Sequence, residues 1–173
     1  LIDKRGAGLA DPDRERPSEF WPAETILEQG YAAAAFQNED VDPDEHDGFR
    51  DGVHGLFDSP DAARGADAWG TIAAWAWGAS RVLDALEQDP DIEAGRVAVV
   101  GHSRGGKAVL WAGAQDERFA MVVSNNSGCT GAAISRGKAG ESIRDINRQF
   151  PHWFAENYKR YDDREEALPV DQH

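Results

Sequence analysis

Apolar positions mark the elements of this chain. Ile72, Trp75, Ala76, Ala79, Val82, Leu83 and Leu86 recur at three- and four-residue spacing, which predicts a helix over 67–88 closed by Asp89-Pro90-Asp91. Arg96-Val97-Ala98-Val99-Val100 is short and Val-rich, and predicts a buried strand. A helix over 104–115 and a strand over 121–124 follow. Upstream, 21–29 reads as a short helix, with Ser18 as cap, Pro22 in the first turn and Gly30 as stop. Tyr31-Ala32-Ala33-Ala34-Ala35-Phe36 is ambiguous, since Ala favours helix. Its place between Gly30 and a polar loop predicts a buried strand, with small residues suited to cover on both faces. Residues 1–19 are polar and read as loop. Residues 38–67 form a long acidic loop, and loops of that length are usually functional or tied down. Residues 128–140 are a Gly- and Ala-rich loop, 143–161 carry helical pieces broken by Pro151, and 162–173 are a charged tail.

The order strand, helix, strand, helix, strand predicts an α/β fold, a parallel sheet flanked by helices on both faces. Composition agrees, because 173 residues with 40% hydrophobic positions and six Trp are enough for one cored domain. The net charge of −14 argues against nucleic acid and against anionic membranes, both of which want a basic surface. No apolar run reaches membrane-spanning length. Cys129 is the only cysteine, so no intrachain disulfide forms. Residues 1–20 show no signal-peptide pattern, and the chain starts at Leu1.

The chemistry concentrates at Gly101-His102-Ser103-Arg104-Gly105-Gly106-Lys107-Ala108, between a predicted strand and a predicted helix. Gly-x-Ser-x-Gly in that context is the nucleophile elbow of the α/β-hydrolases, in which a strained turn lifts the serine above the sheet. Side chains at Gly101 or Gly105 would collide with the neighbouring strand and helix. The backbone N–H of Arg104, at a helix N-terminus, suits a developing oxyanion. A phosphate loop would require Ser or Thr after Lys107, where Ala108 stands.

A serine nucleophile needs a base, and the base an orienting acid. In this fold both follow the serine along the chain. His46 and His54 precede it, and His102 adjoins it and is expected to point away. His152 and His173 follow. His152 sits in Phe150-Pro151-His152-Trp153-Phe154, where a packed histidine is the commoner case, and His173 has no strand before it to present it. The triad histidine is therefore expected beyond residue 173, with His152 as the alternative base.

Several separated segments resemble the glucuronoyl esterases, carbohydrate esterase family 15, especially their bacterial branch. They are 18–22 (SEFWP), 40–44 (DVDPD), Gly101 to Lys107, 124–131 (SNNSGCTG), Gly140-Glu141 and 150–154 (FPHWF). The resemblance implies the central portion of an α/β-hydrolase domain, 1–173, without the family's first strands and C-terminal third. It implies a serine esterase hydrolysing esters of glucuronic acid on xylan through an acyl-enzyme, with no cofactor or metal, secreted or periplasmic. By the same resemblance Ser103 is the nucleophile and Arg104 supports the oxyanion with N–H and side chain. Lys107 and Glu141 would bind sugar hydroxyls. Part of the family carries its triad Glu where Asn126 stands; the bacterial branch takes its acid from a later strand, which places the acid beyond 173 too. Asn126 would then tie its loop by side-chain hydrogen bonds. Two other readings stay open: an acetyl xylan esterase or other carbohydrate esterase on the same scaffold, and a non-catalytic, hydrolase-like carbohydrate-binding protein.

Overall fold

The computed structural model describes residues 2–3, 22–59, 61–137 and 139–171. Its strands are β1 (Ile2–Asp3), β2 (Phe36–Gln37), β3 (Ala98–His102) and β4 (Met121–Asn125). Its α-helices are α1 (Ala23–Glu28), α2 (Thr71–Leu86), α3 (Arg104–Gln115) and α4 (Ile143–Gln149). Both strand pairs, β1 with β2 and β3 with β4, are parallel. In the second pair Ala98 stands opposite Met121 and His102 opposite Asn125.

The apolar periodicity of 67–88 produces α2, whose Trp75 and Leu83 are almost fully buried. Small residues on the same face let it approach its neighbours closely. A Cβ on Gly78 would lie 2.8 Å from Val41 Cγ2 and 3.2 Å from Phe36 Cε2. Helix α2 packs on α3, and α3 covers β3 and β4. Ile72, Trp75, Ala108, Val109, Cys129, Ile146 and Trp153 form the core between these helices and the segments after β4. On β4, Val122 faces α3, where a Cβ on Gly113 would come within 2.2 Å of its Cγ2. Met121 and Val123 point the other way and are 60% and 39% exposed.

Three expectations need correction. Residues 31–35 are exposed and irregular, and only Phe36–Gln37 is strand, so the Ala run is not a buried strand. Ala side chains bury too little surface to hold a strand in place on their own. Within the stretch read as loop, Ile2–Asp3 pairs with β2. Helix α1 has Pro22 at its N-cap and buries no residue, and the expected cap Ser18 lies outside the described residues.

The acidic loop is tied down. Val53 N–H donates to the Val41 carbonyl at 2.8 Å, and Trp75 Nε1 donates to the Asp42 carbonyl at 2.9 Å. Fully buried His54 meets Asp42 Oδ1 through Nδ1 at 2.9 Å, with Phe49 and Trp69 against its ring. These contacts hold residues 42–44 over the start of α3, where the candidate chemistry lies.

Candidate active site

Ser103 links β3 to α3 with φ 55° and ψ −121°. A non-glycine residue there sits in a sparsely populated region that costs about 1–3 kcal/mol. The fold holds it from both sides. Ser103 N–H continues the β3–β4 ladder to the Asn125 carbonyl at 2.9 Å, and the Ser103 carbonyl accepts from Lys107 N–H at 3.2 Å. Gly101 is required by contact: a Cβ there would lie 2.2 Å from the Gly105 carbonyl oxygen. The first amides of α3 have no acceptor within the helix, which leaves them for an anion beside Ser103.

Arg104 opens α3. Its Nη1 donates to Asp44 Oδ2, and its guanidinium carbon lies 5.0 Å from the ring centroids of both Phe150 and Trp153. Those two rings are parallel and 3.7 Å apart. Burial pulls the guanidinium below its ordinary pKa, against the pull of the Glu39 carboxylate, but an arginine remains charged.

Lys107 is buried, and its Nζ donates to the carbonyls of Ser127 and Cys129. It therefore braces the 127–129 loop, and it also lines a groove of about 920 Å³ with Trp77, Trp111, Trp153 and Tyr158. Ser103 is not among that groove's walls. Glu141 is exposed just before the α4 cap Ser142, and no hydrogen bond among the described residues ties its side chain to Ser103 or Lys107.

Among the described residues no hydrogen bond joins Ser103 Oγ to a histidine. His152 is buried, and its Nε2 lies 3.2 Å from Asp44 Oδ1, which also accepts from Trp153 Nε1 at 2.8 Å. Desolvation pulls the His152 pKa down, and nearby Arg104 adds to that, while Asp42, Asp47 and Glu45 oppose it. Burial thus favours the neutral ring, and with Nε2 facing Asp44 its Nδ1 is left buried without a partner. His46 stacks against it at 6.3 Å. His173 lies outside the described residues.

Asn126 is exposed, with φ 49°, and shows no side-chain hydrogen bond among the described residues. Asparagine tolerates the left-handed region, and that is its part in the turn. The tie expected of it is made by Ser127, whose Oγ accepts from Ala132 N–H at 2.9 Å and from Ser124 Oγ at 2.8 Å. Asp44 drew no role from the sequence beyond its place in a resembling segment, because nothing local marks a carboxylate that meets partners 60 and 108 residues away. Among the described residues no cluster of His, Cys, Asp and Glu suits a metal ion, and no helix is long and apolar enough to cross a membrane.

Comparisons with known proteins agree with this geometry. A family model described as "Glucuronyl esterase, fungi" matches residues 20–173. A carbohydrate esterase, MZ0003, from an unknown prokaryotic organism is 47% identical over 88% of this chain and 35% of its own length. A 4-O-methyl-glucuronoyl methylesterase from Wolfiporia cocos is 32% identical over 94% of this chain and 43% of its own. The solved glucuronoyl esterase from Solibacter usitatus superposes with a TM-score of 0.86 at 48% identity, covering 94% of this chain and 42% of that one. The chain thus spans roughly two fifths of such relatives' length, with an α/β-hydrolase fold that carries the strained serine turn. With the turn, the sheet and the whole of 20–173 in agreement, the chain belongs to the glucuronyl esterase family.

Proposed function

We propose that this chain carries the nucleophile and oxyanion machinery of a serine esterase that cleaves esters of glucuronic acid on xylan. One observation carries the reading: Ser103 is held at φ 55° between a parallel strand and the N-terminus of α3. Ser103 Oγ gives its proton to the triad base and attacks the ester carbonyl. The tetrahedral intermediate collapses as the base passes that proton to the leaving alcohol. Water, deprotonated by the same base, then hydrolyses the acyl-enzyme and returns the proton to Ser103 Oγ. The Arg104 N–H and guanidinium stabilise the oxyanion in a partly buried setting, where such charge is worth more than in water. Lys107 and Glu141 are assigned to the sugar hydroxyls. For Lys107 its place on the same helix face one turn after Ser103 supports this; for Glu141 the family resemblance alone does.

Among the described residues His152 makes no hydrogen bond to Ser103 Oγ, and its Nε2 faces Asp44, which favours a base elsewhere over His152. We assign the triad histidine and its acid to sequence after residue 173, and read 1–173 as the central part of the catalytic domain. A polymeric xylan substrate does not enter cells, which places the enzyme outside the cytoplasm, secreted or periplasmic. Ser103→Ala in the full-length gene product is expected to lower turnover of a methyl glucuronate ester by at least about a thousandfold. Near-normal turnover in that variant would refute the nucleophile.

A further inference from the structure

We propose that Asp44 is a positioning residue for ester hydrolysis, acting through Arg104; this rests on reading Arg104 as oxyanion support. The carboxylate has a different task on each oxygen. Oδ1 accepts from Trp153 Nε1 at 2.8 Å and meets His152 Nε2 at 3.2 Å. Those two donors fix the carboxylate plane. Oδ2 then accepts from Arg104 Nη1. The Phe150 and Trp153 rings, each centred 5.0 Å from the guanidinium carbon, limit its swing. The side chains of Arg104 and Asp44 are 21% and 14% exposed, so water competes weakly for the pair.

A planar fork held at one end presents its other N–H groups in a fixed direction. Arg104 Nε is buried without a partner, and among the described residues no hydrogen bond occupies Nη2. Nη2, the donor nitrogen neither buried without a partner nor bound by Asp44, thus remains for an oxygen beside Ser103. The buried Asp42–His54 pair carries the same loop, so the position of Asp44 is set by the core rather than by solvent.

Charge and position make opposite predictions, and this gives the test. A carboxylate beside Arg104 weakens its field at an oxyanion. If only charge mattered, Asp44→Asn would leave kcat unchanged or raise it. If position matters, kcat falls. Turnover of a methyl glucuronate ester by the full-length gene product is to be measured for wild type, Asp44→Asn, Arg104→Ala and the double variant. Asp44→Asn is expected to lower kcat about ten- to a hundredfold, with KM changed less than about threefold. In the Arg104→Ala background the same change is expected to cost less than about twofold. An unchanged or raised kcat, or an equal loss in both backgrounds, would overturn the proposal. Should Asp44→Asn fail to fold, as judged by near-UV circular dichroism, Trp153→Phe takes its place. That variant removes one donor to Asp44 and keeps the ring on Phe150. A kcat loss that disappears in the Arg104→Ala background supports the proposal, and no loss or the same loss in both overturns it. Ser103→Ala run beside them separates the failures, since turnover persisting there sinks the esterase reading instead.

Discussion

Lys107 shows how one residue serves structure and chemistry together. A solvated surface lysine is the usual fate of this residue type. Here the side chain is buried and spends two donors on the Ser127 and Cys129 carbonyls. Lys107→Ala therefore leaves two carbonyls short of a donor as well as removing a contact to the sugar. It is expected to raise KM for a glucuronate ester about ten- to a hundredfold, and to lower Tm, because a lost charge-assisted hydrogen bond is worth about 1.5–3 kcal/mol. An unchanged Tm would show that the loop does not depend on it. His152 predicts a pH effect. Burial holds its folded pKa below the ordinary 6.5, so the unfolded chain binds the proton more readily. The stabilisation from neutral His152 is complete above pH 6.5 and is lost as the pH falls through the unfolded value toward the folded one. Tm is expected to drop between pH 7.5 and 5.5 more steeply in wild type than in His152→Gln. Parallel curves would show that His152 does not set that slope.

At the scale of elements, the strand–turn–helix from β3 through α3 was the best-marked part of the chain. Its glycines and its helix bounds agree with the structure because each follows from local rules of packing and steric contact, while the strand expected buried over 96–100 instead runs Ala98–His102 with Val99 and Val100 only half-buried. Gly101→Ala tests that contact. Its Cβ would press on the backbone of Gly105 and Gly106 at 2.2–2.9 Å, and backbone cannot swing aside as a side chain can. The substitution is expected to destabilise by about 3 kcal/mol or more and to displace Ser103. A chemical-denaturation midpoint equal to wild type would contradict this. The 31–36 run was misread because an Ala tract carries neither alternation nor β-branched residues. The start of α4 was legible and overlooked: Ser142-Ile143-Arg144-Asp145 is a capping box, with Asp145 N–H on Ser142 Oγ at 3.2 Å and Ser142 N–H on Asp145 Oδ2 at 2.9 Å.

At the scale of the whole molecule, two features bear on how the 173 residues behave by themselves. Ser103 Oγ meets no histidine among the described residues, and Met121 and Val123 leave an apolar strand face open. Turnover of a methyl glucuronate ester by the 173-residue chain is expected to be at least about a thousandfold below that of the full-length gene product. Comparable rates would mean that a base is reached within these residues. The exposed face also predicts association, since open apolar strands pair with other copies. Light scattering by the isolated chain is expected to fall on Met121→Thr with Val123→Thr.

The sequence by itself determined the elbow with its flanking helix, because these depend on residues within about twenty positions of one another and on local geometry. It determined the α/β class and the family through the order of elements and the motifs spread along the chain. Tertiary structure alone decided the surroundings of that turn. It set His152 against Asp44, turned Lys107 inward to two loop carbonyls, and joined Asp42 to His54 under the loop. Such side-chain contacts, spanning 12 to 108 positions, leave no periodic trace in a sequence, since their energy comes from desolvation and distance in the folded chain.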